Sequence, residues 1–185
     1  DESESRGLGD VYKRQGYGSL LWNPGFEYAQ SQLATLSGYH RCFCMRSIHH
    51  RGTPEAPGLV LALDERSDAL CRGMALLVPA ATRQQTLSYL RERELVSSAY
   101  VEKTLPVTLA DGSIVSALTY VVDPYHVQYC GALSMDEQAL IISRAVGGRG
   151  ANSEYLHKTA RQLANMGISD ADLSWLSTRV AVLTG

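Results

Sequence analysis

The stretch "YHRCFCMRSI" alternates. Tyr39, Arg41, Phe43 and Met45 point one way and His40, Cys42 and Cys44 the other, which is the period of a β-strand. Further on, "LVLALD" (Leu59–Asp64) and "GMALLVP" (Gly73–Pro79) are short apolar runs with turn-type residues between them. They predict a pair of buried strands. Between the first strand and these lies "RGTPEAPG", Arg51–Gly58, whose two prolines and two glycines predict a loop. From Ala81 to Val96 helix formers run without glycine or proline. "AYVEKTLPVTL" and "IVSALTYVVD" then flank Asp111-Gly112, a hairpin signal, and Pro106 puts the first arm at a sheet edge or on a bulge. Three helices close the chain. The first spans Ser134–Val146, with Ser134 as its cap and Gly147-Gly148 as its stop. The second starts at Asn152 or Ser153 and ends near Met166, before Gly167. The third has Ser169 and Asp172 in capping-box spacing, followed by Leu173, Leu176, Val180 and Leu183 on one face. Strands first and helices mostly last define an α+β class with no internal repeat.

Composition narrows this to one domain. The chain has 185 residues, 45% hydrophobic and 19% charged, enough for a sizeable core. The opening "DESESRGLGDVYKRQ" holds almost no apolar residue, so residues 1–15 are expected to be a non-native or disordered tail, with residues 16–185 as the single domain. A net charge of −2 gives no basic footprint for nucleic acid or an anionic membrane. No apolar run approaches the roughly 20 residues of a membrane span. Cys42, Cys44, Cys71 and Cys130 form no C-x-x-C pair, and are expected as reduced thiols in a cytoplasmic protein. The oligomeric state is left open.

Three places carry candidate chemistry. Leu87, Leu90 and Glu94 share a face of the Ala81–Val96 helix, while Glu92 lies roughly opposite. Spacing therefore turns one carboxylate toward an apolar stripe. There it either pairs with an arginine at the helix end or serves as a general base with a raised pKa. "GYGSLLW" fits neither a dinucleotide fingerprint nor a P-loop. It is either a simple turn or a glycine loop whose N–H groups meet an anion or an oxyanion. Tyr155 falls in the first turn of its helix, either packing there or offering its hydroxyl beside the helix N-terminus. His40, Cys42, Cys44, His49 and His50 crowd together, but C-x-C on a strand is not zinc-finger spacing, so no metal is expected.

Taken in order, "GYGSLLW", "HHRGTPEAPGLVLAL", "YLRERE" and "NSEYL" resemble the ChaC-type, glutathione-specific γ-glutamylcyclotransferase family, from about Gly16 to the C-terminus. The resemblance implies a small mixed β-sheet or barrel-like core with packed helices. It implies a lyase that needs no cofactor, cleaving glutathione to 5-oxoproline and Cys-Gly by attack of the substrate's own α-amine. It puts the catalytic acid/base on Glu94, and substrate binding on Gly16, Tyr17, Gly18, Ser19, Leu20 and Tyr155. Arg41 and Arg51 are added as fork donors for substrate carboxylates. A related γ-glutamylamine or γ-glutamyl-amino-acid cyclotransferase, or a non-catalytic γ-glutamyl-binding regulator, fits the same residues. After Glu94, "LVSSAY" is longer than the G-G-Y turn of many members.

Overall fold

In a computed structural model, residues 12–16, 24–95 and 98–185 are described, the first group by its backbone. Five strands close a mixed barrel: β1 (Tyr12–Gly16), β2 (Gln30–Ser47), β3 (Gly58–Val78), β4 (Tyr100–Leu109) and β5 (Ile114–Val122), in the order β1-β3-β2-β4-β5. Strand β1 runs antiparallel to β3 and parallel to β5, where Lys13 stands opposite Ala117. It lies inside the segment that composition set aside. Ladder bonds are made by main-chain groups and need no apolar side chains, so residues 12–15 are barrel and not tail; residues 1–11 lie outside the described residues.

Strands β2 and β3 form a long antiparallel ribbon. The two short strands expected at Leu59–Asp64 and Gly73–Pro79 are one strand of 21 residues. The intervening Glu65–Asp68 is exposed and lies at an irregularity of the ladder: β2 pairs with β3 at Glu65 and again at Leu70, with only Gly38 between the two partners. The ladder shifts register between Ser37 and Tyr39, where Gly38 takes a φ of +82°. A second shift between Cys42 and Met45 breaks the alternation read from the sequence, and both Cys44 and Met45 are buried.

The β4–β5 hairpin turns at Asp111-Gly112 as expected, with Gly112 at φ +84°. Strand β4 meets β2 only at Leu109 and Thr108. Pro106 therefore costs no ladder bond on that side, which is why a proline is tolerated.

Helix α1 (Arg83–Glu94) sends Leu90 into the cluster of Leu36, Tyr39, Leu63, Val107 and Tyr120. Helices α2 (Met135–Arg144), α3 (Asn152–Asn165) and α4 (Ala171–Thr184) pack on the other side of the ribbon, around Phe43, Leu61, Ile142, Leu156, Leu163 and Leu176. Burying each such side chain stabilises by roughly 1.5–3 kcal/mol. Ser134 caps α2 in a capping box with Glu137. Helix α4 is capped by Asp170, not Ser169: the Asp170 carboxylate accepts from Leu173 N–H at 3.0 Å and from Arg41 at 3.1 Å. Two small strands, β6 (Val146–Gly147) and β7 (Gly150–Ala151), lead into α3.

Candidate active site

Glu94 is the last residue of α1, one turn beyond the buried Leu90, and its side chain is 14% exposed; Glu92 faces solvent. The ion-pair reading of its spacing has its counterpart in Arg93. The carboxylate is half-buried on the apolar side, and Arg93 Nε lies 3.6 Å from its Oε1.

Tyr155 is buried in the first turn of α3. Its ring meets Phe43 edge-on at 6.1 Å, and the Arg51 guanidinium lies 5.8 Å from its centroid. Leu61 N–H donates to its hydroxyl oxygen at 3.3 Å. Burial pushes this phenol up to about 12, with the Glu94 charge adding to the rise and Leu61 N–H and the two arginines Arg51 and Arg41 opposing it. Tyr100, the first residue of β4, is held well above the ordinary phenol range by burial, then by Tyr155 and Glu94. One carboxylate thus shares its surroundings with two phenols that keep their protons at neutral pH. Sequence reasoning missed Tyr100, although the tyrosine of "LVSSAY" was the available signal.

The segment between β1 and β2 contains Tyr17, Gly18, Ser19 and Leu20, which lie outside the described residues. Its two ends do not. Gly16 stands opposite Met74, which packs against the cluster that holds Tyr155. At the other end Arg93 donates to Pro24 O at 3.1 Å and to the Tyr89 hydroxyl at 3.3 Å. Gly25 has φ +77°, and a Cβ there would run into the Tyr89 hydroxyl. The two described ends, Gly16 and Pro24, therefore lie near the cluster of Tyr155 and beside Arg93, the neighbour of Glu94.

The expected loop "HHRGTPEAPG" is knitted to the residues ahead of α3. Gly148 N–H donates to His49 O at 2.7 Å and Arg149 N–H to His50 O at 2.9 Å. Asn152, expected as a helix cap, instead grips β3: its amide donates to Leu59 O and accepts from Leu59 N–H, both at 2.7 Å. Gly58 has no Cβ because the Arg51 carbonyl and the Asn152 amide press against it. Arg51 donates to Ala151 O at 3.0 Å and Glu154 Oε2 at 3.3 Å, so it braces the start of α3. Arg41 is spent elsewhere, on Asp170 and on Arg72 O at 2.6 Å. Partial burial, then Arg149, His49, Arg51 and Arg93, hold His50 below its usual pKa. Arg51, Arg93 and Arg149 thus bring positive charge close to His50 and favour its neutral form.

A closed mixed barrel with helices packed on both sides of its long ribbon, and a half-buried carboxylate near two protonated phenols, define the class: a small α+β barrel protein with a single-carboxylate candidate site. The chain matches the ChaC-like protein family over residues 15–183 and belongs to that family. Among its relatives, the glutathione-specific gamma-glutamylcyclotransferase of Escherichia coli K12 is 36% identical over 168 residues, covering 91% of this chain and 72% of that protein. The enzyme of the same name from Schizosaccharomyces pombe is 33% identical, covering 85% of each chain. The crystal structure of a yeast γ-glutamylcyclotransferase specific to glutathione superposes with a TM-score of 0.83 at 25% identity, covering 93% of this chain and 96% of that one.

Proposed function

We propose that this chain is a glutathione-specific γ-glutamylcyclotransferase, a lyase that converts glutathione to 5-oxoproline and Cys-Gly, with Glu94 as the acid/base. The observation that carries the assignment of roles is the half-buried Glu94 carboxylate beside the protonated Tyr155 and Tyr100. Similarity to enzymes of that activity over most of the chain supports the reaction.

The substrate's own α-amine attacks its γ-carbonyl, forming the lactam C–N bond. The amide C–N bond to cysteine then breaks. On its way to the lactam N–H the α-ammonium gives up two protons, and the departing amide nitrogen gains two on its way to the ammonium of Cys-Gly. Glu94 carries them in turn. Holding the γ-glutamyl chain folded supplies a large share of the barrier reduction, on the order of several kcal/mol. The backbone N–H groups of Tyr17–Leu20 and the Tyr155 hydroxyl receive the oxyanion. The positive charges of Arg51, Arg93 and Arg149 attract the substrate's carboxylates, while Arg51 also braces Tyr155. Four free cysteines support a reducing, cytoplasmic setting. Among the described residues no helix is long and apolar enough to cross a membrane.

The test incubates the protein with reduced glutathione, without added metal, and measures 5-oxoproline and Cys-Gly. Both are expected, and Glu94→Gln is expected to lower kcat about 10²–10⁴-fold. A folded Glu94→Gln protein with near-full activity removes Glu94 from the role of base. Products from another γ-glutamyl amide but not from glutathione reassign the substrate.

A further inference from the structure

His40 and Asp64 are direct partners across the β2–β3 ladder. Cys42 follows His40 by two residues on the same strand, so both side chains leave the sheet on one face. Register thus gathers an imidazole, a thiol and a carboxylate, whose donor atoms all lie within 4.8 Å of one another. His40 Nε2 is 4.0 Å from Asp64 Oδ2. The Tyr129 hydroxyl donates to the same Oδ2 at 2.7 Å and fixes the carboxylate. Asp64 is only 14% exposed, yet among the described residues no Lys or Arg lies within ion-pairing distance of it. The groups that face it are the Tyr129 hydroxyl, the His40 ring and the Cys42 thiol. None of these side chains has a part in the reaction above.

We propose that His40, Cys42 and Asp64 form a binding site for a divalent cation of the zinc class on the β2–β3 ribbon, with Tyr129 as the outer group that orients Asp64. A mixed nitrogen, sulfur and oxygen donor set suits zinc and disfavours magnesium and calcium, which take oxygen alone. Bonds of about 2.0–2.3 Å put tetrahedral ligands roughly 3.5 Å apart, so the side chains close by about an ångström. All three are partly exposed, Asp64 less than His40, which leaves them room to do so. Three protein ligands leave a fourth position for water. Local spacing missed this site because the third ligand stands across the ladder. The neighbouring histidines of the sequence cluster, His49 and His50, belong to the loop bonded to Gly148 and Arg149.

The experiment titrates metal-free protein with Zn²⁺ alone by calorimetry and with Co²⁺ by absorption. The expected result is one ion per chain, a cobalt–thiolate charge-transfer band, and a thermal midpoint raised by Zn²⁺. Cys42→Ala and His40→Gln should each weaken binding at least about 10-fold, and Tyr129→Phe about 10–100-fold. Cys71→Ala, which removes a thiol beside Arg41, should leave binding unchanged. No saturable Zn²⁺ binding by folded protein, or equal affinity in wild type, Cys42→Ala and His40→Gln, overturns the proposal. Two single-ligand variants guard against one of them misfolding. Glutathione turnover is assayed without metal, so failure of this site and failure of the proposed activity are read separately.

Discussion

A tyrosine hydroxyl has a proton to give and lone pairs to accept with, and at Tyr155 the fold commits an acceptor position to Leu61 N–H. The proton remains, because burial pushes the phenol up to about 12. Tyr155 is thus set up as a donor. Tyr155→Phe keeps the ring against Phe43 and Arg51 and removes only that donor. We expect kcat for glutathione to fall about 10²-fold, with a stability loss of roughly 1–3 kcal/mol from the orphaned Leu61 N–H. Steady-state kinetics below the lowered midpoint check this, and an unchanged kcat would leave Tyr155 a packing residue only. At this scale the sequence was most readable for Glu94, since helical arithmetic alone puts it one turn beyond Leu90. Tyr100 was not readable. Its place beside Glu94 depends on how α1 connects to β4, and no local period encodes that.

Among the elements, α3 shows how far a local pattern misleads. Asn152 has the right residue type and position for an N-cap, but Ala151 occupies the cap and the Asn152 amide bridges to Leu59 of β3. The long-range bond wins because Leu59 is fully buried, and its N–H and C=O would otherwise lack partners on that side. The same holds at α4. Asp170 displaces Ser169 because one carboxylate serves both Leu173 N–H and the buried Arg41. Asn152→Ala should lower stability by about 3 kcal/mol, since it orphans two buried groups, and should reduce turnover by loosening Tyr155. Denaturant unfolding measures the first effect. A loss under about 1 kcal/mol would mean that α3 is anchored by its apolar face instead.

For the molecule as a whole, the α+β class and the hairpin were legible because both rest on periodicity and turn chemistry. Barrel closure was not. It is made by β1, whose sequence looks like solvent-loving chain and whose ladder is formed by main-chain groups. The buried phenols also set a limit on alkaline stability. The folded-state pKa of Tyr155 lies above its unfolded value of about 10, so its contribution is fully present below pH 10 and lost as pH rises toward 12. A shift of this size corresponds to roughly 3 kcal/mol, and Tyr100 adds to it in the same direction. The thermal midpoint should therefore fall steeply between pH 10 and 12, and less steeply in Tyr155→Phe. Parallel slopes in the two proteins would contradict the assignment.

Strand β1 also sets an order of events. Lys13 and Ala117 are neighbours in the barrel but stand roughly a hundred residues apart along the chain, and the entropy of bringing chain ends together grows with that separation. The β2–β3 ribbon and the β4–β5 hairpin join near neighbours in sequence and form at lower entropic cost. Barrel closure is therefore among the last contacts the chain can make. The strand that completes it ends in Gly16, at the mouth of the glycine segment. A chain that has folded its ribbon and helices without this last stave has most of its core and an open barrel.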